Sequence, residues 1–144
     1  MADEAPRPAL TGVCPLLSVY DMNRAVAFYR DLLGFALVEH APFVDAAEGH
    51  YFHWAWLRRG PAELMLNTAY DANERPPSVD PARQAAHADS YLYFGCHDPD
   101  AVYADLIAHG VAAEAPKNAP YGMRQVFLTD PDGYHLVFQK AVSA

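Results

Sequence analysis

The feature that most constrains the fold of this chain is a pattern written twice. Cys14-Pro-Leu-Leu-Ser-Val-Tyr-Asp21 and Tyr91-Leu-Tyr-Phe-Gly-Cys-His-Asp98 each run through strand-like positions and end in an aspartate. An aspartate there caps a helix, and each predicted helix closes on a glycine, Gly34 or Gly110. Three further strand candidates follow in both halves. Recurrence of this kind reads as two βαβββ modules, residues about 11–68 and 90–140, inside one domain spanning 1–144. The class is α+β.

Within the first module the spacing predicts a helix from Met22 to Leu33. Met22, Ala25, Val26, Tyr29, Leu32 and Leu33 form its apolar stripe. Strands over Phe35–His40, Tyr51–Arg58 and Ala62–Thr68 complete it, with Arg59-Gly60 as a turn. In the second module a strand over Tyr91–Cys96 leads to a helix with Pro99 at its first position. Val102, Tyr103, Leu106 and Ile107 make the apolar side of that helix. A short strand over Val111–Ala115 follows, then a hairpin of Gln125–Thr129 and Tyr134–Lys140 turning through Asp130-Pro131-Asp132-Gly133. Residues 1–11 read as a loose arm. The proline-bearing stretch Ala69–Asp89 reads either as a surface linker or as a flap over a cleft or subunit contact, because irregular connections of such length are uncommon in compact domains.

Alternation along the opening strands divides their side chains between two faces. Val13, Pro15, Leu17 and Val19 point one way, toward the helices. Cys14, Leu16 and Ser18 point the other way, as do Tyr91, Tyr93 and Gly95 in the second module, whose Leu92, Phe94 and Cys96 meet its helix.

Charge narrows the partners. Ten basic against eighteen acidic residues give a net charge of −8 with neutral histidines, which disfavours phosphate backbones and anionic membranes. Such a surface attracts cationic small molecules and also serves solubility. Two cysteines make no disulfide framework. No run of residues is apolar enough to span a bilayer. The acidic opening Met1-Ala-Asp-Glu-Ala-Pro has no export character. The expectation is a cytoplasmic protein with free thiols and no nucleic-acid or membrane partner.

Two segments carry a resemblance. Val19-Tyr-Asp-Met-Asn-Arg-Ala-Val-Ala-Phe-Tyr-Arg-Asp-Leu-Leu-Gly-Phe35 and Tyr121-Gly-Met-Arg-Gln-Val-Phe-Leu-Thr-Asp-Pro-Asp-Gly-Tyr134, with a weaker match over Asp98 to Val111, resemble the vicinal oxygen chelate superfamily of glyoxalases, bleomycin resistance proteins and extradiol dioxygenases. The resemblance implies paired modules curled into a cup of mixed sheet, usually completed in a homodimer. In metal-dependent members histidine, glutamate or glutamine occupies four cup positions. The corresponding residues here are Cys14, Glu63, Tyr91 and Val137. Only Glu63 is a usual ligand, and a divalent ion needs several such donors, so no metal cofactor is expected.

Other chemistries find little support. No dinucleotide, phosphate-loop or nucleophile-elbow motif occurs. Cys14 has no sequence-adjacent base and reads as a small core residue. His135 shares a strand face with Val137 and Gln139 and should point into the cup. His50 and His53 do not complete a metal shell, and His40, His87, His97 and His109 read as loop or helix-end residues.

A cup without metal ligands is left aromatic. Trp54 and Trp56 share one strand face, and Tyr91, Tyr93, Tyr121 and Phe43 add rings to its walls. Rings stack on planar ligands and attract cations; Glu63, Asp45 and Glu48 add negative charge. The resemblance puts Tyr121, Met123 and Arg124 at the cup rim. The candidate ligand-binding residues are Trp54, Trp56, Glu63, Met65, Tyr91, Tyr93, Tyr121, Met123, Arg124 and His135; none is assigned a catalytic role. The favoured function is sequestration of a planar or cationic organic molecule in the manner of bleomycin resistance proteins. The alternative is a lyase, isomerase or dioxygenase with an atypical divalent-metal site built on Glu63 and His135. A third reading, an interaction module, rests on Ala69–Asp89 alone.

Overall fold

The computed structural model describes residues 6–142. The first module contains β1 (Leu16–Val19), α1 (Met22–Val26), β2 (Ala36–His40), β3 (Val44–Ala46), β4 (Gly49–Tyr51), β5 (Trp54–Arg59) and β6 (Ala62–Thr68). A connection carrying α2 (Pro81–His87) leads to β7 (Tyr91–Gly95), α3 (Pro99–Ala108), β8 (Lys117–Asn118), β9 (Met123–Thr129) and β10 (His135–Ala141). The two four-stranded sheets run β1-β6-β5-β2 and β7-β10-β9-β8. In each, the opening strand pairs in parallel with the module's last strand, and the other pairs are antiparallel. The duplicated order is the architecture the sequence pattern predicts.

Local chemistry places the helices. The Asp21 carboxylate accepts from the Arg24 amide, and that of Asp98 from the Ala101 amide, with Pro99 opening α3. Gly34 and Gly110 take φ of +78° and +77° just past the helix ends, a conformation costly to any residue with a Cβ. The first helix is not α-helical to its end. Beyond Val26 it widens into a π-helical stretch over Ala27–Leu32, where the Leu33 amide reaches back to the Phe28 carbonyl. The widening buries Phe28 together with the predicted stripe, and Leu32 is left only partly covered.

One core joins both modules. Leu17, Val19, Ala55, Leu57, Leu64 and Leu66 of the first sheet meet Met22, Val26 and Tyr29 of the first helix. Val126, Leu128, Leu136 and Phe138 of the second sheet continue the same cluster, and Phe35 meets Phe94 edge to face. Each fully buried leucine contributes roughly 1.5–3 kcal/mol.

The sequence expectation also fails at three strands and at one helix position, and the connection expected to be irregular carries α2. The strand expected over Val13–Tyr20 is shorter, as its arm-side residues are unpaired apart from the Pro15 carbonyl. The strand expected from Tyr51 is interrupted at Phe52 and His53, and a small β3–β4 hairpin precedes the break. Val111–Ala115 is not a strand: only Glu114 bonds to β9, and pairing resumes at Lys117. On α3, Ile107 faces solvent rather than the core.

Residues 69–89 are a clasp between the modules. Arg75 pairs with Asp21, and the Tyr20 hydroxyl donates to the Pro76 carbonyl. On α2, the His87 ring stacks on Tyr134 at 4.1 Å and bonds through Nδ1 to the Asp132 carbonyl. Gln84 lies against Gly133, where a Cβ would come within 2.6 Å of the Gln84 carbonyl oxygen. Gly133 also holds φ at +93°. Gly133→Ala is therefore expected to cost about 1–3 kcal/mol through backbone strain and contact. It should loosen α2, read as faster limited proteolysis within residues 69–89.

Candidate functional site

Strand alternation gives each sheet an apolar face under the helices and an open face of mixed chemistry. On the first sheet the register aligns Leu16, Met65, Trp56 and Glu39 in one row across all four strands. Ser18, Asn67 and Trp54 form the next row, and Glu63 with Arg58 another. On the second sheet the rows are Tyr91, His135 and Thr129, then Tyr93, Val137 and Phe127, then Gly95, Gln139 and Gln125. Met123 shares this face with Gln125, and Tyr121 joins it through its hydroxyl, which exchanges hydrogen bonds with the Gln125 amide. Nine of the ten candidate residues thus lie on or beside the open faces.

Arg124 does not. It occupies the opposite face of β9, where its guanidinium holds both Asp100 carboxylate oxygens of α3 and the Asn118 side chain. The neighbouring Arg124 charge in turn holds the Asp100 carboxyl below the ordinary carboxylate range, chiefly through these bonds. Arg124 fastens α3 to its sheet.

Other acidic and aromatic candidates also lie elsewhere. Asp45 pairs with His50, Glu48 accepts from the Tyr51 hydroxyl and the Asn73 amide, and Phe43 stacks on His50 at 4.4 Å. All belong to the β3–β4 hairpin and its tether to the connection. Burial beside Glu48 pushes Tyr51 up to about 12.

Two cavities border Tyr91. One, of about 590 Å³, is lined by Tyr91, Phe127, Thr129 and His135 with Ala112, Ala113 and Glu114. The other, of about 530 Å³, is lined by Val13, Pro15, Pro61, Glu63, Tyr91 and Tyr93, among others. Such volumes suit drug-sized organic molecules. The rings are ordered: Tyr91 stacks on His135 at 4.6 Å, and the His135 Nδ1 contacts the Thr129 hydroxyl at 3.1 Å. Cations already sit over two of the open-face rings, Arg58 over Trp56 at 5.3 Å and Lys117 over Phe127 at 5.5 Å. The Trp56 indole N–H is buried and finds no acceptor among the described residues.

The four positions that the resemblance assigns to metal ligands, Cys14, Glu63, Tyr91 and Val137, carry few donors suited to that role. Val137 is wholly buried and has no donor atom. Tyr91 commits its ring to His135. Burial and then the Glu63 charge push the Cys14 thiol up, which disfavours the thiolate a metal would need. Glu63 is left as the single carboxylate. No grouping of three or more histidine, cysteine, aspartate or glutamate side chains suited to a metal occurs among the described residues.

Phe127, Thr129 and Glu114 line the cavity beside Tyr91 and are not among the residues that the sequence singles out. Alternation within Gln125–Thr129 places Phe127 and Thr129 on one face, and the hairpin register sets Thr129 opposite His135. No local signal marks Glu114, which reaches the cavity because its amide bonds to the Phe127 carbonyl.

No helix among the described residues is long and apolar enough to cross a membrane. The family described as the Glyoxalase/Bleomycin resistance protein/Dioxygenase superfamily matches residues 13–138. No curated protein matches. Among solved structures, TnmS3, an antibiotic binding protein from Streptomyces sp. CB03234, is 28% identical with a TM-score of 0.63, over 94% of this chain and 99% of its own. The bleomycin-binding protein of Streptomyces verticillus, solved with copper(II)-bleomycin, is 20% identical with a TM-score of 0.67, over 96% and 100%. TioX from Micromonospora sp. ML1 is 22% identical with a TM-score of 0.68, over 92% and 100%.

Proposed function

Because the chain belongs to the glyoxalase/bleomycin resistance protein/dioxygenase superfamily, we propose that it binds a planar or cationic organic molecule on its open sheet faces and sequesters it without a metal. The observation that carries this reading is the composition of those faces. Trp54, Trp56, Tyr91, Tyr93 and Phe127 supply stacking surface, while the family's metal positions are Cys14, Glu63, Tyr91 and Val137. A cation–π contact adds roughly 0.5–2 kcal/mol according to how far the pair is desolvated, and the net charge of −8 favours the approach of cations. The family likeness to an antibiotic binding protein supports a binding role.

A homodimer completes this reading. Strands β1 and β7 are outer strands of their sheets. Leu10 on the arm and Val13 just before β1 are 93% and 84% exposed, and Leu16, Tyr91 and Tyr93 about half exposed. A second copy covering this apolar strip would wall the cup. Sedimentation is expected to give a dimer; a monomer at all concentrations would remove this part.

The binding reading is tested by calorimetry with bleomycin and with proflavine, a planar cation, in buffer containing a chelator. Saturable binding with a dissociation constant in the micromolar range or below is expected. Absence of heat from both compounds at high protein concentration would reject it.

A further inference from the structure

We propose that Glu114 sets a charge preference in the 590 Å³ cavity, making it a subsite for a flat ring that bears an ammonium or amidinium group. This rests on the binding reading above and adds to it a polar determinant and its location. The walls of the cavity are the stacked Tyr91–His135 pair, Phe127 and the small side chains Ala112 and Ala113. These give a smooth slot for a ring but carry no fixed charge of their own at neutral histidine.

Among the described residues Glu114 is the only carboxylate lining that cavity. Among the described residues its side chain makes no hydrogen bond and no ion pair, in contrast to Asp100 and Asp45. Its backbone is fixed, because its amide donates to the Phe127 carbonyl at 3.0 Å. Glu114 is exposed at the mouth of the cavity, and its backbone lies beside the residue whose ring forms a wall. The Lys117 ammonium lies over the Phe127 ring at 5.5 Å without lining the cavity. The polar side chains lining the cavity are those of Tyr91, His135, Thr129 and Glu114. A ring in the slot with its cationic group at Glu114 satisfies the stacking surface and the unpaired charge together.

The test compares proflavine with acridone, an uncharged molecule on the same three-ring frame, by fluorescence titration of the whole protein. The wild type is expected to prefer proflavine by about three- to five-fold, the scale of one partly exposed ion pair. Glu114→Gln should erase that preference and leave acridone unchanged, and added salt should narrow it in the wild type. Phe127→Ala should weaken both compounds. Equal affinities in the wild type, or no change with Glu114→Gln, would overturn the subsite while leaving the binding reading intact. Loss of binding on changing Trp54 and Trp56 with none on changing Phe127 would place the guest elsewhere and also overturn it. Failure of both compounds to bind would end the subsite and the binding reading together.

Discussion

Asp130→Ala is expected to cost about 3–5 kcal/mol of stability, because a buried acceptor with several donors is removed. In a chain of this size that corresponds to a Tm lower by roughly 10–15 °C. The Asp130 carboxylate accepts from the Tyr29 hydroxyl on one oxygen and from the Asp132 and Tyr134 amides on the other. Tyr29 has no solvent exposure, and Asp130 itself is buried. Burial pushes the Asp130 carboxyl above its ordinary value even though its three donors pull the other way. Alanine would leave all three donors without an acceptor in the interior. Asp130→Asn keeps an oxygen for the two amides and should recover most of the loss. Urea denaturation of both variants checks this. The consequence reaches the site, since the Asp130–Gly133 turn sets the register that places His135 opposite Thr129 and Val137 opposite Phe127.

The second large effect concerns binding. Trp54→Ala and Trp56→Ala should each weaken binding of bleomycin, a guest large enough to reach both sheets, by about thirty-fold or more, the scale of a central aromatic anchor, and should change proflavine binding, seated against Phe127, far less. Both rings are half-buried on the open face, and Ala55 and Leu57 take the helix-side core positions of the same strand. Stability should change by much less than for a core truncation such as Leu66→Ala, which is expected to cost about 2–5 kcal/mol. Calorimetry and denaturation on the same samples separate the two effects. Unchanged bleomycin affinity in both tryptophan variants would remove the first sheet from the site.

The repeat was legible because each of its parts has a local cause. Asp21 and Asp98 cap, Gly34 and Gly110 terminate, and alternation separates Leu17 and Val19 from Leu16 and Ser18 before any long-range contact forms. The β3–β4 hairpin was not legible, since three-residue strands are too short to show a period. Helix α2 buries none of its residues fully and so has no apolar stripe; it is held by His87 and Gln84 against a turn far along the chain. The site divides in the same way. Trp54, Trp56, Tyr91, Tyr93 and His135 follow from alternation within a strand. The orientation of Arg124 toward Asp100 and the arrival of Glu114 beside Phe127 depend on contacts between separate elements, which no local spacing encodes.

The central claim is that the open faces hold organic guests through rings because they hold too few donors for a metal. Elemental analysis of protein purified without chelator tests it most directly. The account predicts zinc, manganese, iron, nickel and copper each far below one ion per chain, with proflavine binding unaffected by chelator. A transition ion near one per chain, lost together with binding on chelation, would contradict it.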